Sequence, residues 1–502
     1  MSLFRIFDSP RQVIPRWHTY PMARWLGVTM AAEATPADPT PDENYREKIR
    51  SWEKSGKLLH AADLVGNALV LNCFDDEQTN EAAQFILKNE KGISGPLLEV
   101  TQSYLRLSKK EPFPLPEVIV PEESKRFFNV IAGLKRRTRE YPRNPILWMD
   151  LAFYYSAIGQ TRAAEHAVAV ALSLNSENRY LLRSGARFYM HVDSPDKALH
   201  FLRRSSAGNL DPWLVAAEIA ISDTIKLPSK KIKRAREIVE DRSLNNFHIS
   251  ELASALGTIE IRDGSRKKGK KLFAMALQDP TENSLAQATH FASELGELGN
   301  NISQKQLTHS FEAETSLKFY GEDFKGALEA AKKWFAYQPF SSRPAVTGSY
   351  IAAVTLGQFD ESIKIAKMGQ LSSPDDLMLR NNLAFSLASM NRTDEALEVL
   401  AKTDESESSD LEKDTLLATK ALIEFRRGNT DNGRKLYERT VNSFKKSRDH
   451  RSESIAKFFW SREEALVKSP VATRLREDSL AEAMKLGIIE LLAASKITEK
   501  DK

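Results

Sequence analysis

The sequence predicts an all-α protein built from repeated pairs of helices, on three observations. The first is a 34-residue period. From Pro145 the chain reads Trp148, Leu151, Ala152 and Tyr155, then Gly159, Ala164, Val168 and Ala171; one period later come Leu182, Gly185, Ala186 and Tyr189, with Ala198 and Leu202 behind them. The second is helical spacing of apolar residues outside the best repeats, as in Leu58, Leu59, Ala62, Val65, Leu69 and Val70. The third is the small residue that recurs at fixed places, with Val130, Ala164 and Ala198 spaced 34 apart. Where two helices cross closely, a side chain larger than alanine forces them apart, and aromatic or leucine neighbours fill the adjacent gap.

A large residue, two spacers, leucine, a small residue, two spacers and tyrosine, followed by a second helix with alanine at its crossing point, resembles the tetratricopeptide repeat. The resemblance implies a right-handed α-solenoid of helix–turn–helix units, each burying its apolar face against its neighbours. Such a stack escapes the size limit of a single core, which a chain of 502 residues exceeds. It also implies that the first helix of each unit lines a concave groove.

In chain order, residues 1–42 form an aromatic and basic segment (Phe4, Phe7, Trp17, Tyr20, Trp25) ending in the proline-rich linker Thr35 to Pro41. Those aromatics need a surface to pack on, and the protein's own solenoid is the expected one. Residues 43–110 read as helices, with degenerate repeats expected. Residues 111–280 hold the first repeat block, opened by the breakers Pro112, Pro114, Pro116 and Pro121. An irregular helical connection over 281–307 leads to a second block over 308–447. There Ala327, Ala331 and Trp334 mark one second helix, and Ser362 and Ala396 are again 34 apart. The acidic, serine-rich stretch Asp404 to Asp410 reads as an inserted loop, and residues 448–502 as capping helices. About seven units follow the pattern.

Composition excludes several classes. Hydrophobic residues make up 41% and charged residues 28%, as in ordinary soluble folds. The single cysteine, Cys73, rules out an internal disulfide and multi-cysteine metal sites, and fits a reducing, cytoplasmic setting. No apolar run approaches the roughly 18 residues that span a bilayer, so no membrane partner is expected. Arg5, Arg11, Arg16 and Arg24 give the N-terminus a basic character, but Pro10, Pro15 and Pro21 oppose the amphipathic helix of an organellar leader. Net charge is +4, yet 25 Lys/Arg against 15 Asp/Glu between Ile131 and Met275 give the middle a local excess of +10. That region is the candidate surface for an acidic partner.

Gly264 to Lys271 (GSRKKGKK) approaches a phosphate-binding loop, but Lys271 stands where a serine or threonine would hold magnesium. Glu260 and Arg262 also spoil a buried strand before it, so the motif reads as a basic turn and helix start. No His-Glu-x-x-His pair and no Gly-x-Ser-x-Gly elbow occurs. The chain is therefore expected to be non-catalytic, without cofactor or metal.

Arg183 and Arg187 lie four apart and share a helix face, while Leu182, Ala186 and Tyr189 take the buried one. By the resemblance, the arginines would point into the groove, with Phe153 on the corresponding face one repeat earlier and Asn381 on that of a later repeat. Two arginines and an aromatic suit a carboxylate or phosphate on an extended segment. The fuller Lys/Asn/Arg set with which family members clamp chaperone tails is missing. Lys230, Lys231, Lys233, Arg234 and Arg236, with Arg266, Lys267, Lys268, Lys270 and Lys271, form basic clusters expected on the outside. Their few aromatic neighbours favour a solvated face over a nucleic-acid surface. The reading is a scaffold or adaptor that binds partner proteins through acidic or extended segments; a nucleic-acid-associated protein using the basic middle is the alternative.

Overall fold

The computed structural model describes residues 12–29, 43–71, 73, 76–89, 93, 95–109, 125–241, 244–300, 302, 309–402 and 409–500. Phe4, Phe7, the 35–41 linker, the prolines between 112 and 121 and most of the 404–410 stretch lie outside them. Every element among the described residues is helical. The first five are α1 (Tyr20–Trp25), α2 (Glu43–Ser55), α3 (Leu58–Leu71), α4 (Glu77–Lys88) and α5 (Gly95–Ser108). Then come α6 (Lys125–Glu140), α7 (Pro145–Ala157), α8 (Thr161–Leu174), α9 (Arg179–His191), α10 (Pro195–Arg204), α11 (Pro212–Thr224), α12 (Ile232–Glu240), α13 (Asn246–Arg262) and α14 (Arg266–Ala276). The short α15 (Glu282–Thr289), α16 (Ala292–Leu295) and α17 (Glu297–Asn300) interrupt the rhythm. The series resumes with α18 (Phe311–Tyr320), α19 (Phe324–Tyr337), α20 (Ser342–Tyr350) with a π-helical turn Ile351–Thr355, α21 (Phe359–Ser372), α22 (Leu377–Ser389) and α23 (Thr393–Ala401). It ends with α24 (Asp410–Arg426), α25 (Thr430–Lys446), α26 (His450–Leu466), α27 (Val471–Leu486) and α28 (Ile489–Lys500). No helix among the described residues is long and apolar enough to cross a membrane.

The chain divides into two compact units, one of residues 1–20, 115–242 and 246–502, the other of residues 21–114 and 243–245. The smaller is built on α2 to α5, whose core joins Tyr45, Leu64, Val65, Ala82, Ala83, Ile86 and Tyr104. Asp76 starts α4 by accepting the Thr79 amide, and the Tyr45 hydroxyl meets Thr79 Oγ1 at 2.6 Å. Cys73 is half-buried at the edge of this core, and burial pushes its thiol pKa up.

The larger unit contains nine helix pairs among the described residues: α7/α8, α9/α10, α11/α12, α13/α14, α18/α19, α20/α21, α22/α23, α24/α25 and α26/α27. Short polar side chains start the first helices. Asn144, Asn178, Asp211 and Asp376 each accept a first-turn amide, and Pro145 and Pro212 stand where a missing N–H costs nothing. Each first helix ends in a residue with positive φ, namely Gly159, Asp193, Lys226, Gly264, Glu322, Gly357, Asn391, Gly428 and Lys468. The following amide returns to a carbonyl five residues back, or six at the π turn, as in Gln160 to Tyr155 and Arg392 to Leu387. This left-handed stop turns the chain sharply into the second helix.

The second helix then crosses the first on a small residue. Ala164, Ala198, Ala235, Ala327, Ser362 and Ala396 are all fully buried. At the crossing residues Gly269 and Gly433 even a methyl group would lie within 2.4 Å of Ile261 and 2.5 Å of Phe425. Val130 breaks the expected frame: it is exposed, and its neighbour Ile131 turns inward with Phe127 and Leu134. The C-terminal helices add to the repeat stack. α26 and α27 form a further pair, and α28 folds back so that Ile488, Leu491 and Ala494 join Tyr350, Val354 and Phe458.

The first helices line an inner face that curls until distant pairs meet. The turn after α7 abuts the end of α21, where a methyl at Gly159 would lie 2.4 Å from the Leu371 carbonyl oxygen. Phe153 and Phe340 have ring centroids 5.5 Å apart.

Candidate functional site: a filled concave groove

Residues 12–20 (QVIPRWHTY) run through this inner face as an irregular segment. Pro15 has no amide to donate and biases Ile14 away from helical angles, which favours an extended path. Side chains of the repeat helices meet its main chain. Val13 N–H donates to Gln287 of α15, and Tyr20 N–H donates to Asp150 of α7 at 2.7 Å. The Trp17 carbonyl accepts from Gln338 Nε2 at 2.9 Å, and the His18 carbonyl accepts from the Tyr180 hydroxyl at 3.0 Å. Gln12 reaches the Ala255 carbonyl at 2.9 Å.

Three side chains of the segment are held specifically. Trp17 is fully buried in an aromatic cage, with ring centroids 5.4 Å from Phe153, 6.1 Å from Phe188 and 5.0 Å from Phe340. Arg16 pairs with Glu312 and lies 3.5 Å from Glu282, with the Trp334 ring 5.8 Å away. His18 Nε2 meets Glu282 at 2.6 Å, and its Nδ1 faces the Gln338 amide at 3.2 Å. The tautomer with the proton on Nε2 satisfies both contacts.

Electrostatically, one carboxylate serves several cations. Burial works against the charge of Glu312, but Arg343 at 2.7 Å and then Arg16 outweigh it and hold its pKa well below the usual range. Burial also opposes Arg16, and Glu312 and Glu282 together more than compensate. Arg343 pairs with Glu312, and its pKa is left lowered by burial. Arg187 fares worst. Its pKa is brought down to about 10, first by burial and then by Arg16 and Arg343. Asp150 is pushed up to about 6 by burial, although it accepts from Tyr20 and Tyr180.

The structure brings the expected groove residues into different roles. Phe153 is a wall of the Trp17 cage. Arg187 lies over Phe340 at 5.0 Å, with Ser341 Oγ at 3.4 Å as its polar contact. Arg183 is not open to a ligand: it is buried and makes two bonds, 2.8 and 3.1 Å, to Glu251. The two residues occupy equivalent positions two repeats apart, and the intervening equivalent, Ala217, has only a methyl group there. Trp213 stacks on the Arg183 guanidinium at 4.7 Å. Asn381 is buried elsewhere, accepting from Thr419 at 2.7 Å beside a small apolar cavity lined by Tyr350, Phe385, Tyr437 and Phe459. Spacing gave no sign of Glu282, Glu312, Gln338 or Phe340; the unplaced aromatics of the N-terminal segment were the available hint.

The basic clusters are only partly free. Lys230, Lys233 and Arg234 are exposed, Arg234 pairing with Glu237 and Arg236 with Glu260. Lys231 does not belong to a surface patch: its side chain is buried, donating to the Gly208 carbonyl and Asn209, and burial lowers its pKa. Arg266, Lys267, Lys268, Lys270 and Lys271 are exposed along α14. The phosphate-loop-like motif is a helix–turn–helix junction, since Thr258 to Arg262 lies within α13, Gly264 is the left-handed stop and Gly269 the helix crossing.

No protein-family model matches this chain, and no curated protein matches it. Among solved structures it is similar to the yeast Tom70 (13% identity, 89% of this chain and 97% of that one, TM-score 0.30). It is also similar to Naa15/Naa10 bound to HypK-THB (14%, 91% and 75%, TM-score 0.23). A third is the TPR domain of P58(IPK) (12%, 76% and 98%, TM-score 0.20). The fold, defined by the helix pairs themselves, is an all-α helical repeat among the described residues.

Proposed function

We propose that this chain is a non-catalytic scaffold that binds partner proteins on the inner face of its repeats, in a reducing compartment such as the cytoplasm. The observation that supports this most is the mode of holding residues 12–20. Gln287, Gln338, Tyr180 and Asp150 grip an extended main chain while a cage and two carboxylates read its side chains. A surface built that way is suited to polypeptide. The test is affinity purification of the full chain from its native cells, followed by mass measurement of the eluted complex. One or a few proteins at fixed stoichiometry are expected; recovery of the chain alone, under conditions that preserve other complexes, counts against the reading.

The exposed basic stretch of α14 favours a nucleic-acid partner as the second reading. Binding of single- or double-stranded nucleic acid at physiological salt, lost when Lys267, Lys268, Lys270 and Lys271 are neutralised, would reverse the order.

A further inference from the structure

We propose that residues 12–20 are a resident stand-in for a partner, and that the groove's external ligand is an extended protein segment with an arginine followed by an aromatic residue, which enters by displacing them. This rests on the scaffold reading and names its ligand. Three features of the site support it.

First, the bonds to the main chain do not depend on the sequence held. Gln287, Gln338, Tyr180 and Asp150 would serve any extended segment in the same register. Selectivity comes from the two neighbouring anchors, an aromatic ring in the Phe153, Phe188 and Phe340 cage and a guanidinium between Glu282 and Glu312. The cage reads the ring alone, because Trp17 Nε1 is buried with no hydrogen-bond partner among the described residues. Second, Glu312 does not depend on the segment for its counter-charge. When Arg16 leaves, the Arg343 guanidinium remains at 2.7 Å. Third, Arg16 sits beside two like charges, Arg187 and Arg343, so its departure relieves repulsion that partly offsets its ion pairs. A held segment whose departure leaves Glu312 paired with Arg343, and gives up Glu282 to the cation of an incoming segment, has the character of a removable occupant.

Because the resident segment is tethered, it competes at a high effective concentration, and an external segment binds weakly until the tethered one is weakened. The probe is a fluorescein-labelled peptide of residues 12–20, followed by anisotropy against the full-length chain and against a full-length variant carrying Arg16→Ser and Trp17→Ser. The variant should bind the peptide at least about tenfold more tightly than the unmodified chain. A peptide with Trp17→Ser should bind the variant at least about tenfold more weakly than the native peptide, the loss expected for a buried aromatic anchor. A peptide with Arg16→Ser should also bind more weakly, while Trp17→Phe should retain most of the binding. The proposal falls if the folded variant binds the native peptide no better than the unmodified chain does, or accepts the Trp17→Ser peptide equally. It falls too if the variant loses its helical dichroism, since the segment is then part of the core. A partner complex that excess peptide leaves intact would overturn this proposal and leave the scaffold reading standing.

Discussion

Replacing Arg183 with methionine should destabilise the protein by about 3–5 kcal/mol, because it strands a buried carboxylate. Both side chains of the pair are nearly sealed, Arg183 at 3% and Glu251 at 7% exposure. Without the guanidinium, Glu251 keeps the Thr281 hydroxyl at 3.4 Å and the more distant charge of Arg179 among the described residues. Methionine refills much of the volume beside Trp213, so the loss comes chiefly from the charge and from the stacked cation, the latter about 0.5–2 kcal/mol of it. Lys197→Met supplies the control. Its partner Glu165 is 2.6 Å away, but the two side chains are 56% and 40% exposed, so water and salt screen the pair and its loss should barely move the curve. Adding Glu251→Gln to Arg183→Met should recover part of the loss, since an amide is cheaper to bury than an unpaired charge. Urea titrations of the three variants and the unmodified chain, followed by helical dichroism, measure all of these. If Arg183→Met costs no more than Lys197→Met, the guanidinium faces solvent and the buried bridge is wrong.

Gly159→Ala should cost at least about 1–2 kcal/mol from its left-handed backbone, and more from the approach of the Leu371 carbonyl. Gly264→Ala, at φ +86° with open space around it, should show the backbone part alone in the same titration. Ala164→Leu and Ala198→Leu should each lose roughly 1–3 kcal/mol by overpacking a crossing that is already fully buried, and two unchanged melting temperatures would disprove the crossing. Asp150 binds its proton more tightly folded than unfolded, so its contribution is fully present below about pH 4 and lost as pH rises through about 6. Asp150→Asn should therefore be up to about 3 kcal/mol more stable than the unmodified chain at pH 7, with the gain vanishing near pH 4; a pH series of unfolding curves decides it.

Much of the fold was legible because periodicity is a local signal. The pattern from Trp148 to Tyr189 and the small residues Ala164, Ala198, Ser362 and Ala396 mark helix crossings that the structure contains. The turns were readable where glycine occupies them, at Gly159, Gly264, Gly357 and Gly428; Lys226 and Glu322 adopt the same left-handed geometry with residues that do not advertise it. Val130 fitted the spacing but not the helix face, since a one-residue shift rotates a side chain by about a quarter turn. The site was less legible. Helical spacing put Arg183 and Arg187 on one face of a first helix, and the repeat resemblance implied that this face lines the groove. Whether that face meets water depended on Glu251, 68 residues away, and on Phe340 and Arg16, which lie outside the local pattern. Lys231 looked like part of a surface cluster until the Gly208 carbonyl folded over it.

Amide hydrogen exchange of the full-length chain over residues 12–20 tests the central claim, that the inner face holds the protein's own N-terminal segment, most directly. The Val13 and Tyr20 amides should be protected, being bonded to Gln287 and Asp150. Their protection should fail at lower urea than that of α7, α9 and α13, because the segment leaves without unfolding the helices. Exchange of these amides at the rate of an unstructured peptide, while the helices stay protected, would show that the groove is not filled in this way.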